Sequence, residues 1–170
     1  MKEIEYIDTK LNNFKIRYAQ ENDVSIILEF IKELASYEKL NDQVVATEDI
    51  LKRSLFDRKV AEVLIGEYDC KPVCYAIFFY NFSTFTGKPG IYLEDIYVKP
   101  EYRNKGIGKI ILTYIAKLAT DRDCSRFEWA CLDWNEPSIN FYKSLGAVPM
   151  DEWTVYRLEG DSIKKLAEKF

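Results

Sequence analysis

The segment GIYLEDIYVKPEYRNKGIGKIIL, residues 90–112, joins a strand-like half to a helix-like half. Its first half carries the aromatic and β-branched residues typical of a buried strand, and Pro100 ends that strand because proline has no backbone donor. The second half runs from the basic turn RNKGIG, residues 103–108, into apolar residues at helical spacing. Glycines let such a turn lie close to a ligand, and a helix start offers unpaired N–H groups and a positive dipole end. We therefore expect the turn to bind an anion, most simply a pyrophosphate.

Two common phosphate-binding motifs do not fit this turn. A Walker A loop needs glycine where Arg103 stands and serine or threonine where Ile110 stands. A dinucleotide-binding fingerprint needs a third glycine or alanine where Ile111 stands. The ligand is therefore expected to belong to a different class of phosphate compound.

Length and composition predict one domain over residues 1–170, with 1–13 as an N-terminal extension that is either a tail or an added edge strand. The chain has 170 residues and is 48% hydrophobic, enough for one buried core and too short for two ordinary domains. Its net charge of -4 argues against a nucleic-acid or anionic-membrane partner. Without an apolar run of about 18 residues, and with the charged start MKEIEYIDTK, we expect a cytoplasmic protein.

The four cysteines are expected to be free thiols, because disulfides are rare in the cytoplasm. The chain has no histidine, and its cysteines lack the paired C-x-x-C spacing of a zinc site. No metal is therefore expected.

The hydrophobic pattern predicts the element order β-α-α-β-β-β-α-β-α-β-α. Thr47 is the expected N-cap of the second helix, and Gly146 the expected end of the fourth helix. Residues 153–158 are predicted as a last strand before a helix capped by Asp161. A hairpin-rich front half followed by crossovers favours an α/β fold, a single mixed sheet covered by helices.

A second informative segment is WNEPSINFYKSLGA, residues 134–147, where Asn135 precedes a predicted helix that carries Tyr142. Together, the turn at 103–108 and this segment resemble the Arg/Gln-x-x-Gly-x-Gly/Ala and N-x-x-x-x-x-F-Y-x-x-x-G motifs of the GNAT superfamily of N-acetyltransferases. Two weak motifs in the expected order are far more specific than either alone. The resemblance implies a mostly antiparallel central sheet, splayed at the cofactor strand and flanked by helices.

Within that superfamily the chain resembles the diamine (spermidine/spermine) and thialysine N-acetyltransferases. The segments that carry the likeness are IKELASYE (31–38), YLEDIYV (92–98), GIG (106–108) and WNEPSINFYK (134–143). The likeness implies acetyl-CoA as co-substrate and a homodimer. It extends from Phe14 to about Leu158, but residues 148–156 fit the polyamine enzymes poorly.

The resemblance also implies the site residues. The pantetheine arm of acetyl-CoA would pair with the strand residues Ile96, Tyr97 and Val98. Its pyrophosphate would lie on the turn formed by Arg103, Asn104, Lys105, Gly106, Ile107, Gly108 and Lys109. The start of the late helix, with Asn135 and Ser138, would approach the arm. The amine would meet acidic and aromatic side chains, which suit an alkylammonium chain: Tyr37, Glu38, Glu94, Glu128, Trp129, Glu152.

Two residues, Glu94 and Tyr142 of the second motif, are expected to have catalytic roles. An alkylammonium, with a pKa of about 10.4, must lose a proton before it attacks a thioester. In a chain without histidine, a carboxylate or a water chain must accept that proton, and Glu94 is favoured because it interrupts an apolar strand beside the turn. In a regular strand Asp95 points to the opposite face, so only one of the pair lines the cleft. Tyr142 is the proposed general acid for the thiolate, and a backbone N–H of the strand 96–98 is the proposed oxyanion donor.

The expected activity is acetyl transfer from acetyl-CoA to a small primary amine by direct attack in a ternary complex. Polyamines or diamines are the leading acceptors, and thialysine or another lysine-like amino acid is the alternative. A non-catalytic acyl-CoA-binding module and a protein N-terminal acetyltransferase remain as other classes. Cys124 or Cys131 as an acetyl carrier is disfavoured, because neither has a recognisable activating base.

Overall fold

The computed structural model describes residues 4–170 and divides into two compact units between Ala130 and Cys131. The first unit holds a six-stranded sheet in which the strands follow one another in sequence order. The strands are β1 (Tyr6–Asp8), β2 (Phe14–Tyr18), β3 (Glu62–Tyr68), β4 (Lys71–Ser83), β5 (Lys88–Val98) and β6 (Phe127–Trp129). Pairing is antiparallel from β1 to β5 and parallel between β5 and β6. The predicted mixed, mostly antiparallel sheet is confirmed.

Three helices of the first unit are α1 (Val24–Glu38), α2 (Glu48–Lys52) and α3 (Ile107–Asp121). Thr47 caps α2 as predicted, its side chain accepting from the Ile50 N–H at 3.3 Å. A π-helical turn over Arg53–Asp57 continues α2. α1 ends at Lys39, which takes the left-handed conformation with φ 62°.

The core lies on both faces of the sheet. On one face, Ile27 and Phe30 of α1 pack against Tyr75, Ile77 and Tyr97 of the central strands. α3 covers the other face with its apolar stripe, and Arg122 at its C-cap lies 6.0 Å from the ring of Phe78, the neighbour of Ile77 on β4. β5 is therefore held between two helical layers, α1 on one side and α3 on the other.

A buried ion-pair network fixes the first strands. The Arg17 guanidinium donates to Glu67 at 2.6 Å and to Asp23 at 2.7 Å, which joins β2 to β3 and to the start of α1. All three are paired, as buried charges must be. On the outer edge, β1 pairs with β2 through Tyr6–Asp8. The N-terminal extension thus contributes an edge strand, while residues 1–3 lie outside the described part.

The second unit contains α4 (Glu136–Ser144) and α5 (Asp161–Ala167). Gly146, at φ 89°, lies just past the end of α4 as predicted. The predicted strand over residues 153–158 is wrong, because these described residues form no regular element. Val155 is 85% and Tyr156 92% exposed. A strand needs a neighbour for its backbone donors and acceptors, and alternating apolar residues alone do not supply one.

Candidate active site

The site is built on the carboxyl-terminal half of β5, where the sheet opens. β6 pairs with β5 over three residues, Ile91 to Leu93, within the part of the chain that the structure describes. β5 continues to Val98 alongside β4. Beyond Leu93 the side of β5 away from β4 is therefore an edge, and this is the predicted splay.

Hydrogen bonding to β4 shows which groups face that edge. The Lys99 N–H donates to the Val73 carbonyl at 2.9 Å, so the Val98 carbonyl, on the opposite side of the same planar peptide, points away from β4. Hydrogen-bonded and open positions alternate along an antiparallel pair, which places the backbone groups of Ile96 on the edge and those of Tyr97 toward β4. Ile96 and Val98 thus offer main-chain donors and acceptors to a ligand, while the Tyr97 ring packs in the core.

A β-bulge changes which side chains share a face. Ile77 of β4 opposes Asp95 and the next residue, Phe78, opposes Leu93, so Glu94 is the extra residue. Asp95 therefore lies on the same face as Ile77, toward α1, and not opposite to Glu94. The regular strand assumed for these two acids is therefore wrong, and whether one or both of them line the cleft stays a prediction.

One buried phenol, Tyr75, lies beside Asp95 and also feels the charges of Glu38 and Glu94. The Tyr75 hydroxyl donates to Asp95 Oδ2 at 2.9 Å, and its ring stacks on Phe30 with centroids 5.2 Å apart. Burial, then Asp95, and then the charges of Glu38 and Glu94 raise the pKa of Tyr75. Glu38, at the end of α1, and the two acids of β5 thus lie within electrostatic range of the Tyr75 hydroxyl. The sequence contained no signal for Tyr75, which reads as an ordinary core residue.

The acids of this cluster are held in a setting that disfavours their charge. Burial raises the pKa of the Asp95 carboxyl, and the Tyr75 hydrogen bond opposes that effect. Burial, followed by the charge of Asp95, raises the pKa of Glu38. A cation placed between them would relieve both costs, so the arrangement favours an ammonium group.

Asp95→Asn should raise the unfolding temperature at pH 8. The pKa of the Asp95 carboxyl is higher in the folded protein than in the unfolded chain. The folded state is therefore favoured while Asp95 is protonated, and it loses stability as the pH rises through the pKa of the folded state. Asparagine never ionises and its carbonyl can still accept from Tyr75, so the variant avoids that loss. Thermal unfolding should show the two proteins converging by about pH 4, near the ordinary carboxyl range.

The exposed Asp42→Asn is the matched control for this measurement. It removes the same charge without a buried partner, and its difference from the unaltered protein should stay small at both pH values. A lower unfolding temperature for Asp95→Asn at pH 8 would show that ionised Asp95 is compensated in the free protein.

The turn after β5 fits a pyrophosphate. Asn104 and Gly106 have φ of 61° and 81°, and a Cβ built on Gly106 has no atom within 4 Å, which indicates open space. The first helical hydrogen bond of α3 runs from the Ile110 N–H to the Gly106 carbonyl. The N–H groups of residues 107–109 precede it and have no acceptor within the helix. Several donors and a positive dipole end therefore meet at a backbone that leaves room for a ligand.

The basic side chains of the turn take different positions. Arg103 points back to β5 and donates from Nε to the Val98 carbonyl at 2.9 Å. The Lys105 ammonium lies 4.8 Å from the ring centre of Tyr102, and Lys109 is exposed on α3. Two lysines and the backbone N–H groups thus remain to meet an anion.

The second unit presents the other predicted residues on one helix. The Asn135 side chain accepts from the Ser138 N–H at 3.4 Å and caps α4. Ser138 and Tyr142 are four residues apart, so they share a helix face above that cap. Asn135 is buried, whereas Ser138 and Tyr142 are half-buried.

Comparison with known proteins identifies the fold. The model of the acetyltransferase (GNAT) family matches residues 28–147. The chain belongs to the GNAT acetyltransferases. It is 43% identical over 166 residues to a thialysine N-epsilon-acetyltransferase of Sus scrofa, which covers 91% of this chain and 97% of that protein. This acetyltransferase is thus an enzyme that transfers acetyl groups to amines, with acetyl-CoA as the co-substrate of its family.

Two further likenesses bear on substrate and fold. A human spermidine/spermine N(1)-acetyltransferase-like protein is 32% identical over 94% of this chain, which spans 24% of that longer protein. A solved integron cassette protein of V. cholerae superposes with a TM-score of 0.78 at 25% identity, covering 92% of this chain and 98% of that one. The family and fold expected from the sequence are confirmed.

Two other predicted substrate residues of this acetyltransferase have contacts of their own, and a third is exposed. Glu128 accepts from Asn81 at 2.7 Å and from Arg126 at 2.8 Å, so its charge is already paired. Trp129 packs on Phe127 with centroids 4.9 Å apart, and Glu152 is an exposed residue of the second unit. Their roles stay predictions.

Residues 4–170 contain neither a candidate membrane-spanning helix nor a candidate metal-binding cluster. The described helices include none that is both long and apolar enough to span a bilayer. The same residues contain no cluster of three or more potential metal-binding acids or cysteines.

Proposed function

We propose that this enzyme acetylates the terminal primary amine of a small cationic substrate, a lysine-like amino acid such as thialysine ahead of a polyamine or diamine. The observation that carries the proposal is the hydrogen bond from the buried Tyr75 hydroxyl to Asp95 on the strand whose free edge suits acetyl-CoA. The charges of Glu38 and Glu94 also act on that hydroxyl. An alkylammonium relieves the repulsion between these carboxylates, and their aromatic neighbours suit its methylenes and charge.

The edge of β5 would hold the acetyl donor. Main-chain groups of Ile96 and Val98 would pair with the amides of the pantetheine arm, and residues 104–109 would meet the pyrophosphate with N–H groups and lysines. The thioester supplies an electrophilic carbonyl. With the pantetheine paired to this edge and the carboxylates on the α1 face of the same strand, donor and amine would meet at the bulge.

Proton movements are assigned to Glu94 and Tyr142. Glu94 is exposed at the bulge, so it can take the ammonium proton directly or through water and release it to solvent. The neutral amine then attacks in a ternary complex, and a main-chain N–H on the edge stabilises the oxyanion. Tyr142 would give its proton to the departing sulfur, a role supported by the motif on α4.

Sequence identity to the two relatives ranks the two proposed substrate classes. The thialysine enzyme is the more similar relative at 43%, compared with 32% for the spermidine/spermine-like protein. Thialysine carries a carboxylate beside its α-amine, whereas a polyamine is cationic throughout, and the acids on the α1 side of β5 would suit either distal ammonium. The family likeness also supports the proposals of a homodimer and of a cytoplasmic site of action.

The test is CoA release from acetyl-CoA with thialysine, lysine, ornithine, putrescine, spermidine and spermine as acceptors. We expect the highest kcat/KM with thialysine and lower but measurable values with at least one diamine. Release without amine gives the background. Spermidine or spermine preferred over thialysine would support the polyamine alternative, and no turnover with any amine, despite measured acetyl-CoA binding, would refute the small-amine proposal.

A further inference from the structure

Arg103 is the first residue of the cofactor turn, yet its side chain leaves the turn and reaches two other elements. Its Nε donates to the Val98 carbonyl at 2.9 Å. Its guanidinium lies 4.8 Å from the ring centre of Tyr37 on α1 and 5.5 Å from that of Tyr97 on β5. Both distances are within the range of cation–π contact.

The contact with Val98 fixes the end of the cofactor strand. The Val98 carbonyl points away from β4, toward the edge that β6 leaves open, and has no ladder partner on β4. A guanidinium donates in a rigid plane, so Arg103 sets the direction of the turn relative to that carbonyl. The register of the edge and the start of the phosphate-binding turn are thereby linked through one side chain.

The contact with Tyr37 fixes the end of α1. Tyr37 precedes Glu38 in the last turn of the helix, which ends at the left-handed Lys39. Tyr37 is 37% exposed, and the guanidinium lies over its ring. The charge of Asp95 acts on Glu38, the next residue, and contributes to its raised pKa. Arg103 therefore touches the element that carries one acid of the amine site and the strand that carries the other two.

We propose that Arg103 is a positioning residue that couples the cofactor turn to the amine site, rather than a ligand of the pyrophosphate. The proposal rests on the proposed function for the identity of the amine site. It replaces the expectation that Arg103 binds phosphate, because a guanidinium engaged with a carbonyl and two aromatic rings is directed away from the open space at Gly106.

The experiment compares Arg103→Lys and Arg103→Gln with the exposed control Arg58→Lys. Lysine keeps the charge but loses the planar fork, and glutamine keeps a donor but loses the charge. Positioning by Arg103 requires both the charge and the planar fork. Each variant should therefore raise the KM for the amine about five- to tenfold, while kcat and the acetyl-CoA Kd change about twofold or less. Arg58→Lys should match the unaltered enzyme.

A double-substitution cycle tests the route through Tyr37. Tyr37→Ala removes the ring that Arg103 covers, and Arg103→Lys with Tyr37→Ala should raise the amine KM no further than the worse single variant. Independent, multiplying effects would contradict the coupling. If Arg103 were instead a phosphate ligand, the opposite pattern is expected. The acetyl-CoA Kd would rise about tenfold in Arg103→Gln and stay unchanged in Arg103→Lys, while the amine KM would be unchanged in both.

Hydrogen exchange of residues 33–40 with acetyl-CoA bound provides a readout that needs no amine. Faster exchange there in Arg103→Lys, but not in Arg58→Lys, supports the tether even if none of the tested amines is a substrate. Unchanged exchange at 33–40 would overturn it. Failure of the unaltered enzyme to acetylate any amine would instead refute the proposed function.

Discussion

Tyr142→Phe should lower kcat about a hundredfold while the Kd for acetyl-CoA changes less than about twofold, because general acid catalysis contributes factors of this size and larger. The substitution removes one oxygen and keeps the ring. Asn135 still caps α4, so the helix should retain its start and its face.

The magnitude follows from the leaving group. A phenol has a reference pKa of about 10 and a thiol about 8.5, so full proton transfer to free thiolate is uphill by roughly 2 kcal/mol. The sulfur becomes basic only as the carbon–sulfur bond breaks and negative charge builds on it, so the proton moves with bond breaking and the site must offset the remaining cost. Without the hydroxyl the thiolate must leave unprotonated or take a proton from water.

Single-turnover CoA release measures this step, and Tyr156→Phe is the matched control. Tyr156 is a 92% exposed tyrosine of the same unit. A low-pKa acyl donor, such as a thioester of an aryl thiol, should be affected much less by Tyr142→Phe. Full turnover with acetyl-CoA in the variant would remove Tyr142 from the mechanism.

The strand, turn and helix at residues 90–112 could be predicted because their signals are local. Apolar spacing, Pro100 and two glycines each restrict the backbone within a few residues. The model places β5 to Val98 and starts α3 at Ile107, as that pattern indicates. Thr47 and Gly146 were predictable for the same reason, since caps depend on neighbouring backbone groups.

The faces of Glu94 and Asp95 could not be predicted, because a bulge depends on how β4 and β5 align across the sheet. One extra residue reverses the alternation after Leu93 and moves Asp95 to Tyr75. The approach of the Arg103 guanidinium to the Tyr37 ring was equally hidden, because Tyr37 is distant in sequence. Long-range pairing decided both.

The bulge makes the second large prediction specific. Glu94→Gln should lower kcat/KM for the amine about a hundredfold, the usual size of a general-base contribution. Asp95 is mostly buried and already accepts from Tyr75, so it is suited to hold an ammonium in place. Glu94 is the exposed member of the pair, and an acceptor open to water can pass the proton on.

The pH dependence separates base from binding group. If Glu94 is the base, its protonation contributes to the fall in kcat/KM toward acid pH in the unaltered enzyme. That contribution should be absent from the pH profile of Glu94→Gln, and added small carboxylates should partly restore the rate of the variant. Asp95→Asn should instead raise the amine KM about tenfold with kcat nearly kept, as expected when an interaction equal in ground and transition states is removed.

Glu101→Gln, an exposed acid in the turn that follows β5, is the control for a change of net charge near the site. It should leave kcat/KM within about twofold, because isolated exposed charges interact weakly through water. If Asp95→Asn abolished kcat while Glu94→Gln kept it, the base would be the buried acid, and the Tyr75 hydroxyl would become part of its proton path.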